Sequence, residues 1–500
     1  MNDCCESALN RTGWGLCHYF LVGICGLCSL AEASASLVVL VVTPLLACDL
    51  HFEKSDVMTL NAILSLGMAF GGMFFGTLAD HHGRKSLIPG TLVIIFCSSI
   101  YLSFSQRFFP INFAIFWLGA GAAGNNVIIR VYLIECLPAK RRGSCLALVD
   151  LLWVLGFLAS FAMTWSLVPS VVRLLNKEFR PSSWRVLVGL GAAPSLIIAC
   201  AAALLPLSPR YLLYRRHPQH AFNVLQQIYA VNNSRHADHF PPCRLEGCVQ
   251  PNESNDTGPD NLFKSLRKYG TKTWKRIERI FRRPYTRVTL LLLISRVLLF
   301  PGFIWMALWK FHTSYSINNF VRKSRTSTNR YDSSMCTFDA GEIVQAFIDN
   351  CRTANNSRFE SFMLLSMSYI VGEGLLFFGI DVVGRRLTVI SSGMIGATSI
   401  LAFVFANRQS AKVLLSVFFL AAYSILYTTT SIIIPENYPT AVRGTVVGLT
   451  SVLPHVAAFI VKYFARINCT RSLYVTSGLI IGATLTAVSI PDLTRAPMKE

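Results

Sequence analysis

The chain has 500 residues, of which 53% are hydrophobic and only 14% charged, and its mean hydropathy is +0.47. So little charge over such a length excludes a water-soluble globular fold. Lys and Arg (46) outnumber Asp and Glu (26), but the basic residues fall mostly in loops between apolar runs. That placement assigns them to lipid headgroups and topology, not to nucleic acid.

A membrane-spanning helix needs roughly 20 residues. Apolar runs of that order lie near 15–47, 57–79, 86–105, 110–134, 145–168, 184–206, 287–309, 360–380, 387–406, 413–435, 445–465 and 473–490. The first is too long for a leader peptide and lacks a cleavage site, so it reads as a retained span. The pattern predicts an all-α membrane protein, with twelve helices in two six-helix bundles. A cytoplasmic segment 1–14 precedes the first bundle, 15–206. A cytoplasmic linker, 207–286, joins it to the second bundle, 287–490. That bundle carries a far-side loop, 310–359, and a cytoplasmic tail, 491–500, follows. Within the linker, Ala221 to Val231 is amphipathic, and Phe263 to Phe281 is basic and suited to a membrane surface. The Pro-, Asn- and Asp-rich stretch between them is expected to be flexible.

Two charged motifs occur twice at one offset. Asp80-x-x-Gly83-Arg84-Lys85 returns 301 residues later as Asp381-x-x-Gly384-Arg385-Arg386. Glu135-x-x-Pro138-x-x-x-Arg142-Gly143 returns 301 residues later as Glu436-x-x-Pro439-x-x-x-Arg443-Gly444. Equal offsets imply two homologous halves, an architecture used mainly by secondary transporters whose halves rock. Each Asp is expected to close a helix end, each Gly to let helices approach, and the Arg residues to pair with acids or helix-end carbonyls. Such a network can latch the halves in an outward-facing state and break as they rock. A static topology anchor is the plainer alternative. The basic motif loops and the Lys272–Arg283 cluster place the termini in the cytoplasm.

With Gly76 added, the first motif resembles the signature of the major facilitator superfamily. Pro206-Leu207-Ser208-Pro209-Arg210-Tyr211-Leu212-Leu213 is similar to a motif of its sugar and organic-ion branches, with Leu207 replacing their Glu. Trp184-Arg185-Val186-Leu187, Pro194-Ser195, Ala221 to Asn232, Trp153 and Glu436-x-Tyr438-Pro439 are most similar to the synaptic vesicle glycoprotein 2 and synaptic vesicle 2-related proteins. The resemblance covers roughly 14–495 and implies the twelve-helix transporter fold. There are departures. Ile115 stands where the superfamily has an Arg in span four, and Ser431 and Tyr427 stand where the vesicle group has an acid and a Trp in span ten. Phe303 and Ile304 replace its paired aromatics. Substrate identity does not carry over.

Charges inside spans are costly and usually face a cavity. Glu32, Arg130, Arg296 and Glu373 are therefore the candidate cavity residues. Glu32 also matches an acidic position of the vesicle group. Arg296 and Glu373 have similar depth on neighbouring spans and are expected to pair. Arg130 lies near a predicted span end and could instead snorkel to the interface. Trp153 and Tyr427 are expected to line or seal the cavity, because the fold places spans five and ten there; ordinary packing is the alternative. On the far side, Cys336 and Cys351 are expected to form a disulfide. Asn355 and Asn468 face the glycosylating side, while the sequons at Asn10, Asn232, Asn252 and Asn255 should stay bare.

The sequence contains no nucleophile–base set, P-loop or metal-ligand cluster. It is read as a monomeric non-enzyme without a cofactor, partnered by the bilayer and a small organic solute or ion, with Glu32 as the position for either a coupling proton or a cation. The second reading is a transport-silent regulator or receptor in a vesicle or plasma membrane. Eroded positions (Ile115, Leu207, Ser431) favour it, and the retained paired motifs favour transport.

Overall fold

The computed structural model describes residues 4–174, 183–241, 262–299, 356–406, 408–461 and 469–496. Cys336, Cys351, Asn355 and Asn468 lie outside them. The described residues are helical and contain no strand. In chain order the helices are α1 (Cys4–Arg11), α2 (Leu16–Asp49), α3 (Lys54–His82), α4 (Leu87–Phe104), α5 (Phe108–Cys136), α6 (Arg142–Leu174) and α7 (Ser183–Ala202). The linker forms α8 (Pro209–Tyr214), α9 (Pro218–Asn233) and α10 (Leu262–Ile280). The second half forms α11, described over 286–299, then α12 (Asn356–Val383), α13 (Arg385–Phe405), α14 (Gln409–Glu436), α15 (Arg443–Val461) and α16 (Cys469–Val488). Eight of these helices are long and apolar enough to cross a bilayer.

The duplicated motifs set the helix ends. α3 opens on a capping box: the Glu53 and Asp56 side chains each take the other's backbone N–H. It stops at Gly83, whose φ of +94° favours glycine, and Gly384 repeats this after α12 at φ +91°. Glu135 and Glu436 stand in the last turns of α5 and α14, whereas Arg142 and Arg443 open α6 and α15. The linker is partly built structure. Ser208 caps α8 by accepting the Tyr211 N–H at 3.2 Å, with Pro209 in the first turn. Ala221, Leu225 and Ile228 form the buried face of α9, in agreement with the amphipathic pattern.

The outward faces are apolar. Phe104, Phe109, Ile197, Phe378 and Val382 are exposed, a surface suited to lipid because each helix satisfies its own backbone. Among the described residues, two hydrophobic cores cross the boundary between halves. Leu376, Ile380 and Ile432 join the first core, and Val127, Val131 and Val154 join the second.

The tightest crossing between halves is α3 on α15. A Cβ on Gly76 would run into the Gly444 carbonyl, and one on Gly444 into that of Gly76. One turn along, a Cβ on Gly448 would run into the Gly72 carbonyl, as in the small-residue crossings of membrane helices. The close approach expected of Gly83 is thus made by these four glycines. Gly83 itself supplies the turn. Overpacking costs about 1–3 kcal/mol, and here it falls on the contact between the halves. Gly76→Ala should therefore yield a folded protein in which the Gly444 and Thr445 amides exchange faster with solvent. Unchanged exchange would show that this crossing does not control closure.

Candidate functional site

The first site is the closure on the side bearing the motifs. The Asp80 carboxylate reaches across to the start of α15. It accepts the Gly444 N–H (3.0 Å), the Thr445 N–H (2.8 Å) and the Thr445 hydroxyl (2.8 Å). The first N–H groups of a helix lack intrahelical acceptors and form the positive end of its dipole, so an acid is stabilised there. Asp381 mirrors this at the start of α6, taking the Ser144 N–H and hydroxyl at 2.7 Å each. Each half thus caps a helix of the other. Arg84 holds Asp80 at 3.1 Å, and Arg385 holds Asp381 at 3.0 Å.

The glutamates complete the network. Glu135 sits 3.0 Å from Arg84 and 3.1 Å from Arg443 of the other half. Glu436 sits 2.9 Å from Arg385 and 4.0 Å from Arg142 of the other half. All eight charged side chains are buried. The linker braces the network: Ser208 donates to Glu135 at 2.7 Å, Arg84 stacks 4.6 Å from the Tyr211 ring, and Arg276 of α10 reaches the Asp80 carbonyl. Tyr438, in the turn after α14, shares a 2.7 Å hydrogen bond with Thr289. Burial pushes its phenol up to about 12, so it stays protonated at neutral pH.

The second site lies deeper in the bundle. Counted along the helices at 1.5 Å per residue, Arg130 sits roughly 8 Å from Glu135 and Glu373 roughly 12 Å from Asp381. Arg130 forms a two-pronged ion pair with Asp150 of α6, at 2.6 and 3.1 Å, and donates to Asn126 at 2.8 Å. It is buried, so it does not snorkel. Trp153 donates to Glu32 at 3.3 Å, while the second Glu32 oxygen is buried without a hydrogen bond.

The expected Arg296–Glu373 pair is not the arrangement found. Each residue is intercepted by a hydroxyl of α14. Arg296 donates to Ser431 at 2.6 Å and stacks 4.6 Å over the Tyr427 ring. Glu373 accepts from Thr428 at 2.9 Å and faces Asp150 and Arg130 across the boundary between halves. Its other oxygen is buried without a hydrogen bond. Ser431 and Tyr427, which replace an acid and a Trp in the sequence comparison, are thus the residues that hold Arg296. Asp150, Asn126 and Thr428 are additions to the predicted set. Asp150 had a legible signal, an acid inside an apolar run. The two polar residues had none. No group of His, Cys, Asp and Glu able to hold a metal is found among the described residues.

The sequence profile of the Major Facilitator Superfamily matches residues 22–462. The chain belongs to this superfamily. Among curated superfamily relatives it is 24% identical over 492 residues to the rat synaptic vesicle 2-related protein, spanning 96% of this chain and 79% of that one. It is also 24% identical over 498 residues to the mouse putative transporter SVOPL, covering 98% of this chain and 92% of that one. Rat synaptic vesicle glycoprotein 2A is 27% identical over 300 residues, 58% of this chain and 40% of that protein. The superfamily fold matches the proton:xylose symporter XylE bound to 6-bromo-6-deoxy-D-glucose with a TM-score of 0.70 at 15% identity, covering 96% and 97% of the two chains. For E. coli XylE in an inward-open conformation the TM-score is 0.57. The chain is a multi-pass membrane protein whose family and fold are those of transporters.

Proposed function

We propose that this protein is a secondary transporter of a small charged organic solute, working by alternating access with the motif side facing the cytoplasm. The carrying observation is the pairing of two features. Reciprocal Asp caps close one side across the halves, and behind them lies a buried charged cluster built from both halves. A closure made of many short polar bonds between rigid bundles is a two-state element. The cluster supplies solute contacts: Arg296 has neutral partners, and Glu32 and Glu373 each keep one oxygen without a hydrogen bond. Glu32 is the position for a coupling proton or a bound cation. Similarity to a mouse putative transporter and to the symporter XylE supports the transport class. The host membrane we assign is a secretory vesicle or the plasma membrane.

Uptake by purified protein in liposomes tests this, screened over organic cations, anions and sugars with and without a pH gradient. Neutralising Arg296 (R296Q) should change which solute charge is accepted. Glu32→Gln and Glu373→Gln should each lower uptake at least tenfold without loss of folded protein. If these variants alter expression alone and leave affinity and pH dependence intact, the cluster is a fixed structural network. The transport-silent reading would then stand, favoured by Arg296 being satisfied from within its own half.

A further inference from the structure

The two halves of the closure are not equivalent, and the amino-terminal helix makes the difference. Arg443 lies 3.1 Å from Glu135 across the boundary, whereas its counterpart Arg142 lies 4.0 Å from Glu436. Arg142 instead lies 3.3 Å from Glu6 of α1. Glu6 is 5% exposed, and it also pairs with Arg210 of α8 and accepts the Ala139 N–H at 2.7 Å. Its position is built. Cys5, Ala8 and Leu9 of α1 pack on Leu212, Leu213, Ala221, Leu225 and Phe240 of the linker. Asn232 ties down the following turn, accepting the Cys17 N–H and donating to the Gly13 carbonyl at 3.0 Å each.

We infer that Glu6 is a positioning residue of the closure, holding Arg142 inside the first half and away from Glu436, so that one of the two ion pairs across the boundary is weakened. Two buried arginines side by side need an acid between them, and Glu6 supplies it from the same half. Arg142 therefore keeps a counter-ion when the halves part. The amino-terminal helix thereby favours opening on the motif side. The consequence for turnover rests on the alternating-access reading. The geometry itself does not.

The test uses hydrogen–deuterium exchange on the full-length protein in detergent or nanodiscs, read at Ser144 and Thr445, whose amides are bonded across the boundary. Glu6→Gln keeps an acceptor for the Ala139 N–H and removes the charge. It should free Arg142 for Glu436 and slow exchange at both amides about tenfold, the range of a close buried charge pair. Arg210→Gln removes the competing cation, leaves Glu6 to Arg142 alone, and should speed exchange. Unchanged or faster exchange in a folded Glu6→Gln protein overturns the assignment. If that variant cannot be recovered folded, Arg210→Gln decides alone: faster exchange supports the assignment, and unchanged or slower exchange overturns it. No substrate is involved, so failure here leaves the transport reading standing, and absence of uptake leaves this assignment standing.

Discussion

Asp80→Asn is expected to open the motif side of the protein. The carboxylate accepts two backbone N–H groups and one hydroxyl from the start of α15 while paired with Arg84, all in a buried setting. An asparagine of the same shape loses the charge, and its amide group can turn an N–H toward donors that need an acceptor. Hydrogen bonds to a charged group are worth about 1.5–3 kcal/mol each, so weakening the three that cross to α15 costs about 2 kcal/mol or more. That corresponds to a shift of about thirtyfold or more toward the open state. Exchange at Gly444 and Thr445 should accelerate accordingly, and turnover or trafficking should suffer. Asp381→Asn should act in the same direction through Ser144. Ligand affinity should survive, because the cap lies well away from the Arg130–Arg296 cluster. Complete loss of binding in a folded, correctly delivered Asp80→Asn protein would contradict the assignment to closure.

Arg130 and Asp150 carry the largest expected stability effect. Their ion pair is two-pronged and buried among apolar helices. Breaking such a pair from one side costs about 3–5 kcal/mol, because the survivor is left charged in a low-dielectric interior. Arg130→Ala and Asp150→Ala should each lower the thermal unfolding midpoint by several degrees in a fixed detergent. The apolar double variant Arg130→Met/Asp150→Leu should recover most of the loss, since it strands no charge. A double variant as unstable as the sum of the singles would mean that the pair contributes net stability beyond mutual neutralisation. Uptake separates the roles further: a double variant that is stable but inactive would place the pair in the solute path.

Sequence alone determined the architecture. Long apolar runs can only be satisfied in lipid as helices, so they report an all-helical membrane fold. The equal 301-residue offset of two charged motifs then reveals two halves, because charged groups at helix ends tolerate little drift. It also places Asp80, Arg84, Glu135 and Arg142 and their twins at one end of the bundle, which the structure shows as one buried network. Their partners were not legible. Asp80 caps α15, more than 350 residues away, and a capping N–H leaves no mark in the side-chain sequence. Pairing inside the cluster was decided by packing: equal depth suggested Arg296 with Glu373, but α14 puts a hydroxyl before each of them. Arg130 illustrates the same limit. Its nearness to a helix end left cavity and interface equally open, until α6 brought Asp150 against it. Glu6 is the extreme case, an ordinary acid in a short polar segment, given a role only because α1 folds back onto the linker helices. Helix identity follows from local hydropathy, which a sequence carries. The choice of counter-ion follows from which helices are neighbours, and only the tertiary fold sets that.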